Sequence, residues 1–202
     1  MKYLLIILIA YLMGCSSMSF YLMKLKHTDL RDKGSQNLGA SNAMLVMGWK
    51  YGILVAVHDI GKAALAVILA KWLFPDVPYI GFVAGVSSVL GHIFPFYLKF
   101  KGGKGFASYI GMTLALNWKF ALILILIVAL VTLITDYIVV GTTLTVISVP
   151  IYYSIITLYW MAPAILCIAT AVILYKHRAN FVRIVKGTEI GLRSANRGDH
   201  RV

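Results

Sequence analysis

Lys99-Phe100-Lys101-Gly102-Gly103-Lys104-Gly105 stands between two apolar runs, Tyr79–Leu98 and Phe106–Asn117. The side of a membrane on which this loop lies decides how often the chain crosses. Its glycines let backbone N–H groups approach a bound anion, and successive groups of this kind form an anion-holding nest. Its three lysines add positive charge. Such a loop at the edge of lipid points to phosphate handled at a membrane surface.

The flanking sequence establishes the membrane. Of 202 residues, 60% are hydrophobic and 13% charged, with a mean hydropathy of +0.85. That balance excludes an ordinary soluble domain. A spanning helix needs roughly 20 mostly apolar residues. The candidates are Tyr3–Met23, Tyr51–Phe74, Tyr79–Leu98, Phe120–Thr135, Tyr137–Thr157 and Tyr159–Tyr175, with the shorter Phe106–Asn117 as a tilted or re-entrant seventh. None alternates like a barrel strand, so the chain reads as an all-α polytopic membrane protein, one integral domain over residues 1–202.

Charge supplies the orientation, because Lys and Arg accumulate in cytoplasmic loops. Lys24, Lys26, Arg31, Lys33 and Lys50 follow the first span, and Lys99, Lys101 and Lys104 follow the third. Lys176, Arg178, Arg183, Lys186, Arg193, Arg197 and Arg201 follow the last. Seven spans, with the N-terminus outside and the C-terminus cytoplasmic, put all of these on one face. Six would separate the Lys99–Lys104 loop from the C-terminal cluster. Lys2, Lys71 and Lys119 fall on the other side, and Lys62 lies within the second span. The net charge of +12 thus reflects topology and anionic head groups, not nucleic acid.

Two N-terminal features carry other readings. Met1-Lys2, an apolar run and Leu12-Met13-Gly14-Cys15 have the form of a lipoprotein signal, but apolar character resumes at Phe20-Tyr21-Leu22-Met23, favouring an uncleaved helix. His27 and Asp32 have the His-x4-Asp spacing of an acyltransferase dyad that belongs to soluble domains, so they read as solvated loop residues. Cys15 and Cys167 sit in separate apolar runs and indicate neither a disulfide nor a metal site.

Three polar constellations remain. Gly34-Ser35-Gln36-Asn37-Leu38-Gly39-Ala40-Ser41-Asn42 is rich in small residues, hydroxyls and carboxamides that can donate to oxygens. His92, in Gly91-His92-Ile93-Phe94-Pro95, is an ionisable group inside an apolar run, which marks either a functional site or a helix-to-helix hydrogen bond. His177, Asn180 and Arg183 share one helical face, followed by Gly187 and Glu189.

In this order the three constellations resemble the cytoplasmic motifs of the acyl-phosphate:glycerol-3-phosphate acyltransferases of bacterial inner membranes, along nearly the whole chain. The resemblance implies a seven-helix enzyme that moves a fatty acyl group from acyl phosphate to the 1-hydroxyl of glycerol 3-phosphate. The products are lysophosphatidic acid and phosphate, and neither metal nor cofactor is required. It assigns catalytic roles to Ser35, Lys104, His177 and Asn180. Substrate binding falls to Gly34, Asn37, Ser41, Asn42, His92, Gly102, Gly103, Arg178, Arg183 and Glu189. The amides of Gly102 and Gly103, with Lys104, are expected to hold a phosphate.

The chain departs from the family pattern in places. Gln36 replaces a usual glycine, Ser41 a threonine, and Leu45 an arginine thought to contact phosphate; Leu38, Ser16-Ser17 and Thr135-Asp136 also differ. A divergent homologue that binds phospholipid precursors or partners without turnover is therefore the alternative reading. An anion transporter is a third, disfavoured by the lack of an internal repeat.

Overall fold

The computed structural model describes residues 1–196, all of it helices and connecting turns without a strand. It contains two compact units, Met1–Trp118 and the residues from Lys119 onward. Arg197 and Arg201 of the C-terminal basic cluster lie outside the described residues.

In the first unit, α1 (Lys2–Cys15) and α2 (Met18–Lys26) together make one 25-residue candidate span. They are interrupted at Ser16-Ser17, where the Ser17 hydroxyl caps α2 by accepting from Phe20 N at 3.3 Å. A break at membrane depth leaves carbonyls that lipid cannot satisfy. Two side chains fill the gap: Tyr97 donates to Cys15 O at 2.8 Å, and Lys62 to Ser16 O at 2.6 Å.

Next come α3 (Ala40–Met47), α4 (Trp49–Leu73), α5 (Ile80–Ile93) with a 3-10 turn at Phe96–Leu98, and α6 (Phe106–Leu116). The short α3 lies where the sequence suggested only a polar cradle, and Gly48 (φ +99°) separates it from α4. α1 packs on α5, and α4 on α6. A Cβ at Gly14 would strike the Ser88 carbonyl and one at Gly91 the Tyr11 carbonyl, so small residues let these helices touch through their backbones.

At 1.5 Å per residue, α6 is roughly 16 Å long, well short of a hydrocarbon core of about 30 Å. Its Ser108–Thr113 stretch is buried within the unit, the setting in which a short helix at membrane depth is tolerated. Among the described residues, six segments are long and apolar enough to cross, and α6 is the short seventh.

The second unit holds α7 (Trp118–Thr135) from its second residue on, α8 (Ile138–Ile156), α9 (Met161–Val185) and α10 (Leu192–Asn196). Pro150 inside α8 has no N–H for the Val146 carbonyl one turn back. The Thr170 hydroxyl of α9 replaces it, donating to Val146 O at 2.8 Å. α9 runs ten residues beyond the apolar stretch that ended at Tyr175, because one face, with His177 and Asn180, stays buried.

Candidate active site

The first polar constellation folds around Asn42. This side chain, fully buried on α3, donates from Nδ2 to Leu30 O (2.8 Å), Asn37 O (2.9 Å) and Lys33 O (3.1 Å), and accepts at Oδ1 from Ser35 N (2.8 Å). Its hydrogen-bonding capacity is thus spent on the loop, so Asn42 shapes the site instead of offering its amide to substrate. Gly34 and Gln36 both take left-handed backbone, at φ +57° and +55°. The glycine expected at position 36 is therefore explained by the turn, which Gln36 adopts against its steric preference. Ser35 and Asn37 are half-buried and Ser41 is exposed in the first turn of α3.

The basic loop is pinned to the end of α5. Gly102 N donates to Ile93 O at 3.0 Å and Gly103 N to His92 O at 3.2 Å. These two amides are consequently not the free anion donors suggested by the sequence. The glycines are needed for another reason: a Cβ on Gly102 would collide with the His92 carbonyl, and one on Gly103 with the His92 imidazole. Lys104 follows, half-buried, and Gly105 (φ +96°) starts α6.

His92 itself is buried in a polar cluster. Its Nδ1 lies 3.0 Å from Lys62 Nζ and 3.3 Å from Asp59 Oδ1, and Lys62 pairs with that carboxylate at 2.8 Å. Sequence reasoning passed over Asp59 altogether and placed Lys62 only as a residue within the second span. Two opposite charges three residues apart inside an apolar run were the signal.

The two loops share a core in which Leu30 and Leu38 of the first and Leu98 of the second pack with Leu22, Met23 and Val55. Above it opens a hollow of about 740 Å³, lined by Arg31 and Gln36 on one side and by Tyr97, Lys99, Lys101 and Gly102 on the other. Ser35 and Lys104 are not part of that lining. At its rim Arg31 Nε donates to Asp29 Oδ1 at 2.9 Å, and these hydrogen bonds hold the Asp29 carboxyl down to about 2.

In the second unit the third constellation is a clasp. Asn180 Nδ2 donates to Glu189 Oε1 at 2.5 Å and Arg183 Nε to Glu189 Oε2 at 2.6 Å. Both amides after the turn, Thr188 N and Glu189 N, return to Arg183 O at 2.8 and 3.2 Å. His177, one turn earlier on the same face, has Nδ1 2.9 Å from Ile173 O. Arg178 points elsewhere: it is exposed, and its guanidinium stacks 3.9 Å from the Tyr175 ring centroid. Beyond the clasp, Asp136 Oδ1 accepts from Arg193 N at 2.8 Å, so one departure from the family pattern ties down the following segment.

Residues 4–187 match the family model described as glycerol-3-phosphate acyltransferase. The glycerol-3-phosphate acyltransferase 1 of Oceanobacillus iheyensis is 38% identical, over 96% of this chain and 97% of its own. The Bartonella henselae glycerol-3-phosphate acyltransferase is 37% identical, over 96% and 93%. A crystal structure of PlsY, an integral membrane glycerol 3-phosphate acyltransferase in its glycerol 3-phosphate form, is 30% identical. It superposes with a TM-score of 0.90, covering 97% of this chain and 98% of that one. The same enzyme in its lysophosphatidic acid form gives 0.85 at 30% identity, over 95% of each chain.

Proposed function

The chain belongs to the glycerol-3-phosphate acyltransferase family, and we propose that it takes its acyl group from acyl phosphate and delivers it to the 1-hydroxyl of glycerol 3-phosphate. It is an integral membrane acyltransferase of phospholipid synthesis. In the reaction the hydroxyl oxygen bonds to the acyl carbonyl carbon, the carbon–oxygen bond to phosphate breaks, and the hydroxyl proton leaves with the phosphate. An acyl phosphate is a strong acyl donor, so the protein's part is chiefly to bring two phosphate-bearing substrates together. Positioning of that kind lowers a barrier by roughly 7–11 kcal/mol.

One observation carries this reading in the first unit: a hydroxyl- and amide-rich loop and a basic loop are built on a common core at the ends of membrane-spanning helices. Lys104 would offset charge that develops on the phosphoryl oxygens, and Ser35 would hold a substrate oxygen. His177 and Asn180 would orient glycerol 3-phosphate, with Glu189 and Arg183 fixing the Asn180 amide. The family match runs through both compact units, which supports treating them as one catalytic domain. The location would be the bacterial inner membrane, with the motif-bearing face, rich in Lys and Arg, in the cytoplasm.

Purified protein with palmitoyl phosphate and radiolabelled glycerol 3-phosphate should yield labelled lysophosphatidic acid, and acyl-CoA should not replace the donor. Lys104→Ala and Asn180→Ala should each abolish turnover in a folded protein. No product across several acyl lengths would instead identify a homologue that binds these precursors without converting them.

A further inference from the structure

Beneath the basic loop lies a group of ionisable side chains that the reaction does not consume. Asp59 and Lys62 of α4 and His92 of α5 are only 2%, 8% and 7% exposed. Lys62 Nζ has three neighbours: Asp59 Oδ1 at 2.8 Å, Ser16 O at 2.6 Å and His92 Nδ1 at 3.0 Å. The first two can only accept, as the partners of an ammonium do. An ammonium has three protons and no lone pair. Its third proton therefore goes to His92 Nδ1, which must be the bare nitrogen, leaving the ring proton on Nε2. The other tautomer would turn Nδ1–H toward Asp59 Oδ1, 3.3 Å away, and strand a lysine proton.

The consequence reaches the loop through His92. The Nε2 edge of its ring is the surface against which Gly103 rests, and its carbonyl receives the Gly103 N–H. We propose that Asp59 and Lys62 are positioning residues of the acyl-transfer site: they hold His92 in one tautomer and one orientation, and so set the backbone that carries Lys104. This rests on the acyltransferase reading above. The Ser16 carbonyl makes the break in the first span part of the same support.

The test pairs a spectrum with kinetics. In protein labelled with ¹⁵N-histidine, the His92 resonances, identified by their loss in His92→Asn, should show a bare Nδ1 and a protonated Nε2. A protonated Nδ1 in the wild type overturns the proposal. For kinetics, Asp59→Leu/Lys62→Met removes both charges together, because an apolar pair of similar volume is often neutral for stability whereas a single buried charge left alone is not. The double variant, which leaves the Ser16 carbonyl without its lysine donor, should elute as the wild type and melt at a lower temperature, while kcat measured below that melting point falls on the order of 100-fold, the scale of a small misplacement of catalytic groups. Its His92 signal should shift to a mixture of tautomers. Wild-type kcat in the folded double variant refutes the role. If that variant does not fold, the wild-type spectrum decides alone. Absence of lysophosphatidic acid from the wild type would refute the acyltransferase reading instead, and the tautomer measurement would still stand.

Discussion

Replacing Asn42 by alanine separates a residue that shapes the site from one that touches substrate. The side chain has two N–H protons and one carbonyl oxygen, so its four contacts amount to at most three strong hydrogen bonds. At about 1 kcal/mol each the loss is about 3 kcal/mol. Water can reach the half-buried Ser35 and Asn37, which leaves the Leu30 carbonyl as the one fully desolvated partner and keeps the loss near that figure. With 1.4 kcal/mol per factor of ten, the equilibrium for local opening of residues 30–38 shifts on the order of 100-fold.

Opening would lift Leu30 and Leu38, 0% and 3% exposed, out of their core. Hydrogen exchange followed by mass spectrometry, on protein in lipid nanodiscs, should show faster exchange in peptides covering 30–38. Exchange in α8 should be unchanged. Asn42→Asp keeps the acceptor for Ser35 N but turns a carboxylate toward three carbonyls, so it should open the loop at least as far. Ser41→Ala, at an exposed position one residue away, should leave exchange alone. Unaltered exchange in Asn42→Ala together with weakened glycerol 3-phosphate binding would refute the scaffold role and place the amide on substrate.

Gln36→Gly removes a side chain from left-handed backbone (φ +55°) and should stabilise the protein by about 1 kcal/mol, read as a higher melting temperature in detergent; a lower one refutes the assigned strain. Gly103→Ala should displace the basic loop and abolish turnover, because its methyl group meets the His92 ring, whereas Gly61→Ala, with nothing within 4 Å in the interior of α4, should stabilise by about 0.5–1 kcal/mol with full activity. Asp29 should titrate near 2, not near the ordinary 3.8, in a ¹³C-carboxyl experiment. Since its folded-state value is depressed, its pairing with Arg31 contributes fully above about pH 4 and is lost as pH falls toward 2; with both groups exposed by a third or more, the contribution is at most about 1 kcal/mol. A midpoint at the ordinary value would show that the pair is not populated.

What could be read directly from the residues was whatever depends on periodicity and charge. The apolar runs mark all six long spans to within a few residues at most ends, because crossing lipid demands length and apolarity and little else. The first span broke the rule at Ser16-Ser17 because its carbonyls find Tyr97 and Lys62, residues 82 and 46 positions away. α3 escaped for a similar reason: eight residues with two polar side chains near the start look like loop until Asn42 is seen to be the centre of one. The extension of α9 to Val185 was hidden because Lys176, Arg178 and Arg183 end the apolar run without ending the helix. His177, Asn180 and Arg183 were nonetheless placed on one face by spacing alone.

Glycine was the residue type most easily misread. Gly102 and Gly103 suggested an anion nest, since glycine and lysine together carry that meaning in many loops. Both amides are instead closed onto α5, and both Cα atoms lie where the His92 carbonyl and ring leave no room for a side chain. If this loop attracts phosphate as proposed, the attraction would come from lysine ammonium groups and not from the Gly102 and Gly103 N–H dipoles. Lysines act as strongly hydrated point charges without a fixed fork, so they attract phosphate without dictating its orientation. At an exposed surface that attraction weakens as ionic strength shortens the screening length toward 8 Å. Under the proposed function, orientation would fall to groups of fixed geometry, and the chain braces two candidates: the Ser35 loop, held by Asn42, and the Asn180 amide, held by Glu189.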